Sequence, residues 1–375
     1  MSGAVGEPLG GAEGAVWAPS DGGRMTTNSN HISRAARRRT IVLLTLVAFA
    51  GAACTAAVAA GTQRAAQGQA AGSGGYNWPL KPFDQPHPVR GAFGDPRTSF
   101  NGPPTRAGLN SKGTFAYHFG VDISAPDGTA VYPIRSGVVH MRSGETVVVT
   151  SDDGDAFEYW HVVPSVREGQ RVTAFETVLG RVRYGHVHLT EVENGRQVNP
   201  LAPGHLTPYF DRTVPRVDEA LFLQARNGRE LLPEFLRGRV QLAVAASDAT
   251  SMPIPDKWNG LPVVPARVTW RIERAKDGKV VVPEREAFDV RERLPEKPFW
   301  ETFVRGTRQN MANFAGHKMW RQPGVYLFRL DASFDTRRLK DDIYVLVATA
   351  SDTRGNAGTG RFVFTIHNKP GFFSK

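Results

Sequence analysis

The sequence predicts a mostly β protein, with two successive β-rich regions, 78–210 and 211–370, behind an N-terminal segment that enters a membrane. Three observations predict it. From Trp78 onward, short apolar runs alternate with Gly, Pro, Asn and Asp turn signals. No long helical periodicity interrupts them. Ahead of them, Ile41 to Ala60 gives twenty positions without a charge, directly after Arg37-Arg38-Arg39. A length of 375 residues is ample for about two to three domains.

Twenty apolar residues at about 1.5 Å each match the roughly 30 Å of a hydrocarbon core. Positive residues stay inside, so the arginines put residues 1–40 in the cytoplasm and everything after about Gly61 outside it, in the cell envelope. Ala57-Val58-Ala59 also reads as a signal-peptidase site, which leaves a transmembrane anchor and a cleaved signal both open for 41–60. Cys54 is the single cysteine, so no intramolecular disulfide forms. Gly51-Ala52-Ala53 lacks the large aliphatic residue expected before a lipid-modified cysteine. A net charge of +10 suits nucleic acid, acidic membranes or an anionic cell wall, and export argues against nucleic acid.

Residues 61–77 have the Gly, Ala, Gln and Ser composition of a flexible tether. The first β region then reads as strands at Ala130–Tyr132, Gly137–His140, Thr146–Thr150, Ala156–Trp160 and His186–Val192, with Ser151–Asp155 as a hairpin loop rather than a calcium loop. Pro200 and Pro203 close the pattern.

In the second region, Val240/Leu242/Val244, Val268/Trp270/Ile272, Tyr326/Phe328/Leu330 and Phe362/Phe364/Ile366 alternate as half-buried strands do. Asp277-Gly278 and Asp352–Asn356 mark hairpins. Recurrent strands without intervening helices predict an immunoglobulin-like β-sandwich. Ala350-Ser351-Asp352 followed by Gly355-Asn356 resembles the last hairpin of bacterial Ig-like modules, which implies a spacer or a surface for a cell-wall partner protein.

Chemistry concentrates in five residues, His118, Asp122, His161, His186 and His188. Both paired spacings, 118/122 and 186/188, are even, so on extended backbone each pair projects to one side and can meet at one ion. A catalytic zinc takes three nitrogen or oxygen ligands and an open position; this set holds three with two histidines to spare. Imidazoles beside that position titrate near neutrality and can relay a proton or steady a developing oxyanion. No His-Glu-x-x-His motif supplies a glutamate base. His31, His87, His140, His205, His317 and His367 have no such context and read as structural. Tyr159 and Trp160 alternate on a strand, so one of the two belongs to the core.

The pattern resembles the lysostaphin-like (LytM, peptidase family M23) zinc endopeptidases of bacterial cell walls over residues 78–204. His118-Phe119-Gly120-Val121-Asp122 with Gly128-Thr129-Ala130-Val131, Tyr159-Trp160-His161, His186-Val187-His188 with Asn194-Gly195 and Asn199-Pro200, and Phe93-Gly94 with Arg97 carry the resemblance in order and spacing. It implies an M23 antiparallel β-sheet peptidase domain, zinc on His118, Asp122 and His188, and catalytic roles for His161 and His186. It further implies hydrolysis of peptidoglycan stem peptides or cross-bridges by a zinc-activated water. Two departures stand out: Gly180–Gly185 replaces a Gly/Ser/Thr-rich loop, and Leu189-Thr190 replaces a Phe-Glu. Arg181, Arg183 and Tyr184 therefore read as exposed strand alternates, with contact to an acidic stem peptide as the rival reading. Two other functions compete: a non-hydrolytic LytM-like module that regulates a wall hydrolase, and a peptidase acting on a non-wall protein.

Overall fold

Alternating apolar residues and tight turns lay down antiparallel ladders throughout the structure, a computed structural model that describes residues 75–100, 113–312 and 321–369. The arginine cluster, the apolar run 41–60, most of the tether and the stretch Asn101–Lys112 lie outside the described residues. Among the described residues no helix is long and apolar enough to cross a membrane.

Strand β1 covers Val89–Gly91, and β2 (Pro96–Phe100) pairs with β3 (Gly113–Tyr117) as a separate ribbon. Next come β4 (Val121–Ser124), β5 (Ala130–Val131), β6 (Gly137–Ser143), β7 (Thr146–Ser151) and β8 (Ala156–Trp160). The region ends with β9 (Val162–Pro164), β10 (Arg171–Val172), β11 (Gly180–Val182), β12 (His186–Glu193) and β13 (Arg196–Val198). The main sheet runs β1-β4-β12-β8-β7-β6-β10 with β13 added to β12, and β5-β11-β9 form a small second sheet. Period-two alternation divides the central strands. Val121, Ile123, Val187, Leu189, Phe157 and Tyr159 face the core, each at most 2% exposed. Asp122, His186, His188 and Trp160 then occupy the alternate face.

The expected tether ends sooner than its composition suggests. Tyr76 is buried, forms a parallel bridge with Leu206, and donates its hydroxyl to the buried carboxylate of Glu191. One aromatic with a buried acceptor overrides a Gly/Ser-rich context.

The second region is also almost entirely β. Strands β14 (Arg216–Gln224), β15 (Arg239–Ser247), β16 (Arg267–Arg274) and β17 (Val280–Asp289) precede a single helical turn, α1 (Phe299–Thr302). After it come β18 (Met311–Ala312), β19 (Arg321–Gln322), β20 (Leu327–Asp335), β21 (Asp342–Ser351) and β22 (Ala357–Ile366). Sheet β14-β15-β20 packs on sheet β17-β16-β21-β22, and Trp270, Phe288, Phe328 and Phe364 fill the space between and around them at no more than 1% exposure.

Residues Ala66–Lys375 form one compact unit, so the change of region near 210 is no gap in packing. Asn199 donates its amide to Val290 O at 2.8 Å, and its backbone N–H reaches Glu292 O at 2.8 Å. Tyr117 sets its hydroxyl 2.5 Å from Thr302 Oγ1 and donates to Lys297 O at 3.2 Å. Val264 N–H donates to Asp95 Oδ1 at 2.8 Å. These five hydrogen bonds tie the second region to Asn199, Tyr117 and Asp95 of the first.

Candidate metal centre

Strand register supplies half of the cluster. In the β12–β4 ladder His188 stands opposite Asp122, and in the β12–β8 ladder it stands opposite Trp160. His186 lies two residues back on the same face of β12.

His118 arrives differently from the even-spacing expectation. It sits on the bend between β3 and β4, so no single extended run carries it together with Asp122. Its backbone N–H is held by Asp95 O and its carbonyl by Gly94 N–H, each at 2.8 Å. Gly120 makes the bend possible. A Cβ there would lie 2.3 Å from Leu189 O and 2.8 Å from His188 Nε2. His161 also breaks alternation: at φ 65 it leaves β8 in the left-handed region, and it lines the same cleft as its neighbour Trp160. For a non-glycine residue that conformation costs on the order of 1–3 kcal/mol and clusters at functional sites.

Three donor atoms converge. His118 Nε2 is 2.8 Å from His188 Nδ1, and Asp122 Oδ1 is 3.1 Å from both. Ligands about 2.0–2.1 Å from a tetrahedral zinc lie about 3.3 Å apart, so the set needs only slight expansion to hold one. The tautomers fit as well. His118 Nδ1 lies 2.8 Å from Ala92 O, which only accepts, so its proton is on Nδ1 and the Nε2 lone pair points inward. His188 Nε2 is 2.9 Å from Thr190 Oγ1, and donation there leaves Nδ1 bare. Arg97 binds the other carboxylate oxygen, Oδ2, at 2.5 Å and leaves Oδ1 to the centre. Two imidazole lone pairs and a carboxylate oxygen facing one another repel unless a cation sits among them.

The electrostatics agree. Burial alone would raise the Asp122 carboxyl, but His118, Arg97 and His186 outweigh it and hold Asp122 well below the usual carboxylate range. Burial lowers His188 to about 4, opposed by the hydrogen bond that its protonated ring would donate to Asp122. It also lowers His118, with Arg97 adding to the effect. At neutral pH both imidazoles are neutral, the form that ligates metal.

His161 and His186 stand beside this trio with ring centroids 4.5 Å apart. His186 Nδ1 lies 2.6 Å from Arg90 Nη2, an obligate donor, and 3.1 Å from Tyr184 O, an obligate acceptor; the shorter guanidinium contact excludes a hydrogen on Nδ1 and puts the His186 proton on Nε2, while the Tyr184 carbonyl favours the other tautomer. His186 Nε2 is 3.6 Å from Asp122 Oδ1. Burial brings the His186 pKa down to about 3, with Asp122 opposing and Arg90 assisting. Burial also lowers His161. Phe119 and Trp160, with ring centroids 5.7 Å apart, form an apolar wall, and the cleft encloses about 520 Å³ including space open to solvent.

All five expected site residues thus line one cleft. Tyr159 is fully buried and accepts the Ile134 N–H, while Trp160 lines the cleft. Arg183 pairs with Glu145, and Tyr184 packs edge-on against His161 with centroids 5.7 Å apart. The sequence reading missed Arg90 and Thr190 as partners of His186 and His188. Thr190 was visible only as a departure from a Phe-Glu, and no local signal marks Arg90.

No family model matches the chain. In sequence it is similar to the DD-carboxypeptidase/endopeptidase Mpg of Neisseria meningitidis serogroup B and of Neisseria gonorrhoeae, 29% identical to each over 146 residues, which covers 36% of this chain and 33% of the relative. The match spans about a third of the length of these curated relatives. Among solved structures it is similar to the catalytic domain of lysostaphin from Staphylococcus simulans, with 21% identity, a TM-score of 0.23, and 29% of this chain and 86% of that one covered. It is also similar to the M23 metalloprotease pseudoalterin from the deep sea, with 20% identity, a TM-score of 0.25, and 43% of this chain and 95% of that one covered. The chain carries an M23/LytM-like domain.

Proposed function

We propose that the chain is an exported zinc endopeptidase that hydrolyses peptide bonds in peptidoglycan stem peptides or cross-bridges. The observation that carries this reading is the mutual approach, 2.8 to 3.1 Å, of His118 Nε2, Asp122 Oδ1 and His188 Nδ1 at a cleft that also holds two further imidazoles. These three residues would hold zinc, which supplies Lewis acidity toward a peptide carbonyl and activates water at ordinary pH. His186, with its proton on Nε2, is an N–H donor for the developing oxyanion. His161 is half-buried, and among the described residues no hydrogen bond to its ring fixes its proton, which suits it to accept and return one. Phe119 and Trp160 exclude water beside the scissile bond.

The wider reading draws on the same kinds of support. Ile41–Ala60 after three arginines supports export with either an anchor or a cleaved signal, and so a place in the cell envelope. The order β14-β15-β20 facing β17-β16-β21-β22 supports an immunoglobulin-like second domain, a surface for a cell-wall partner protein. The Mpg relatives' name, DD-carboxypeptidase/endopeptidase, supports a peptide substrate, and a net charge of +10 suits the anionic wall as its source.

Digestion of purified peptidoglycan by the full chain in detergent, with and without a zinc chelator, tests this. Chelator-sensitive release of amino groups is expected. No release from protein carrying one zinc per chain would point instead to a non-hydrolytic module or a non-wall substrate.

A further inference from the structure

One side chain of the second β region, Trp258, stands behind the histidine cluster. The 3-10 turn Asp256–Trp258 presents the Trp258 ring to Arg90, whose guanidinium carbon lies 4.3 Å from the ring centroid. Arg90 belongs to β1, at the edge of the main sheet, and is 9% exposed. Its Nη2 contacts His186 Nδ1 at 2.6 Å and Tyr184 O at 3.4 Å, its Nε is buried with no hydrogen-bond partner among the described residues, and the same Tyr184 O lies 3.1 Å from His186 Nδ1, so the guanidinium competes with that carbonyl for the imidazole nitrogen. The guanidinium is thus fixed by an aromatic face on one side and an imidazole nitrogen at its edge. Nη2 is shared between the Tyr184 carbonyl and the ring that faces the cleft, with the shorter contact to the ring.

The segment bearing Trp258 is itself tied down. Asp248 and Val263 exchange backbone hydrogen bonds at 2.8 and 2.9 Å, closing the loop at its base. The next residue, Val264, donates to Asp95, whose other oxygen lies 4.0 Å from Arg97 Nη1. Arg97 in turn holds Asp122. The second region therefore buttresses both arginines that touch the centre, one through a carboxylate and one through a ring face.

We propose that Trp258 is a positioning residue for His186, acting through the Arg90 guanidinium, which holds the imidazole with its proton on Nε2 and directed into the cleft. The second β region then completes the site rather than serving only as a spacer. Cation–π contact is directional over the ring face, so a planar aromatic is required and an aliphatic side chain of similar bulk does not substitute. The catalytic consequence rests on the reading of His186 given above; the orientation of the ring does not.

The test uses the full chain labelled with ¹⁵N in its histidines, with His186 assigned through His186→Gln. Trp258→Leu and Trp258→Phe are compared with the parent, both metal-free and zinc-loaded. The parent is expected to show a single Nε2–H tautomer for His186. Trp258→Leu is expected to show a mixture and to cleave peptidoglycan about tenfold more slowly at saturating substrate, with half-saturation within about twofold and one zinc per chain retained. Trp258→Phe restores both readouts. Should Trp258→Leu fail to fold, Arg90→Lys keeps the charge, removes the planar fork, and is expected to scramble the tautomer in the same way. A His186 spectrum unchanged in Trp258→Leu overturns the proposal, as does a phenylalanine variant no better than leucine. If the tautomer shifts as expected while even the parent leaves peptidoglycan intact, the positioning role stands and the peptidase reading falls.

Discussion

His188 faces Asp122 across the β12–β4 ladder, and its Nδ1 lies 3.1 Å from Asp122 Oδ1. A ladder partner is fixed by the whole strand, so this pair cannot drift apart without breaking sheet pairing. His188→Ala is therefore expected to leave the fold intact and to remove both zinc and peptidoglycan cleavage. Elemental analysis and amine release on the same preparation check it. Chelation of the parent should lower the melting temperature, because a ligand present at about a thousand times its Kd contributes about 4 kcal/mol to the folded state. His188→Ala should show no such response.

Gly120 is the tightest point of the bend that delivers His118. Gly120→Ala places a methyl group 2.3 Å from Leu189 O, a backbone atom of the central strand that cannot rotate away. Overpacking against backbone at a buried position costs about 3 kcal/mol, at the upper end of the usual range. Urea unfolding of the metal-free protein should show that loss, and zinc affinity should fall with it, since the methyl also crowds His188 Nε2 at 2.8 Å.

Local patterning made part of this site legible. The 186/188 spacing lies on a true strand, and the hairpins at Asp277-Gly278 and Asp352–Asn356 fall between β16 and β17 and between β21 and β22. The mostly β class followed from the same alternation. His118 was placed on the right side for the wrong local reason: its pairing depends on a bend whose only sequence mark is Gly120. Arg90, Trp258 and Tyr76 were invisible as partners because their contacts join residues 96, 168 and 115 positions apart. Periodicity reports which face a residue takes, and says nothing of which distant element will cover it.

Asp248 gives the fold a pH signature away from the metal centre. Burial, with Asp211 and Asp352 adding repulsion, raises it to about 7 against the help of the Ala249 N–H. The folded protein keeps this proton up to about pH 7, whereas the unfolded chain releases it near roughly pH 4. Between those values the unfolded chain binds fewer protons, so this contribution to stability is fully present below about pH 4 and is lost as pH rises to about 7. Asp248→Asn keeps an acceptor for Ala249 N–H and Thr213 Oγ1 and removes the ionisation. It should match the parent near pH 4 and exceed it at pH 8 by roughly 2–4 kcal/mol, three units at about 1.4 kcal/mol each being the ceiling. Melting curves of both proteins at the two pH values decide it; equal differences at pH 4 and pH 8 would count against the burial of this carboxyl.

Asn199 shows how the two β regions share a polar seam. The residue is 2% exposed, donates Nδ2 to Val290 O at 2.8 Å, and accepts Leu201 N–H on Oδ1 at 3.0 Å. Asn199→Ala would leave a buried carbonyl and a buried N–H without partners, each costing about 1–3 kcal/mol. A loss of about 3 kcal/mol in urea unfolding is expected. Asn199→Asp should lose about as much, because a carboxylate accepts from Leu201 but has no hydrogen to give Val290. The two variants differ in what they leave unmet: alanine abandons both groups, whereas aspartate satisfies the N–H and sets an acceptor against a carbonyl. If alanine were neutral, the seam would be held by apolar packing, of which Gly94 against the Val290 side chain is the nearest instance, and the hydrogen bonds would serve only to set the register between the regions.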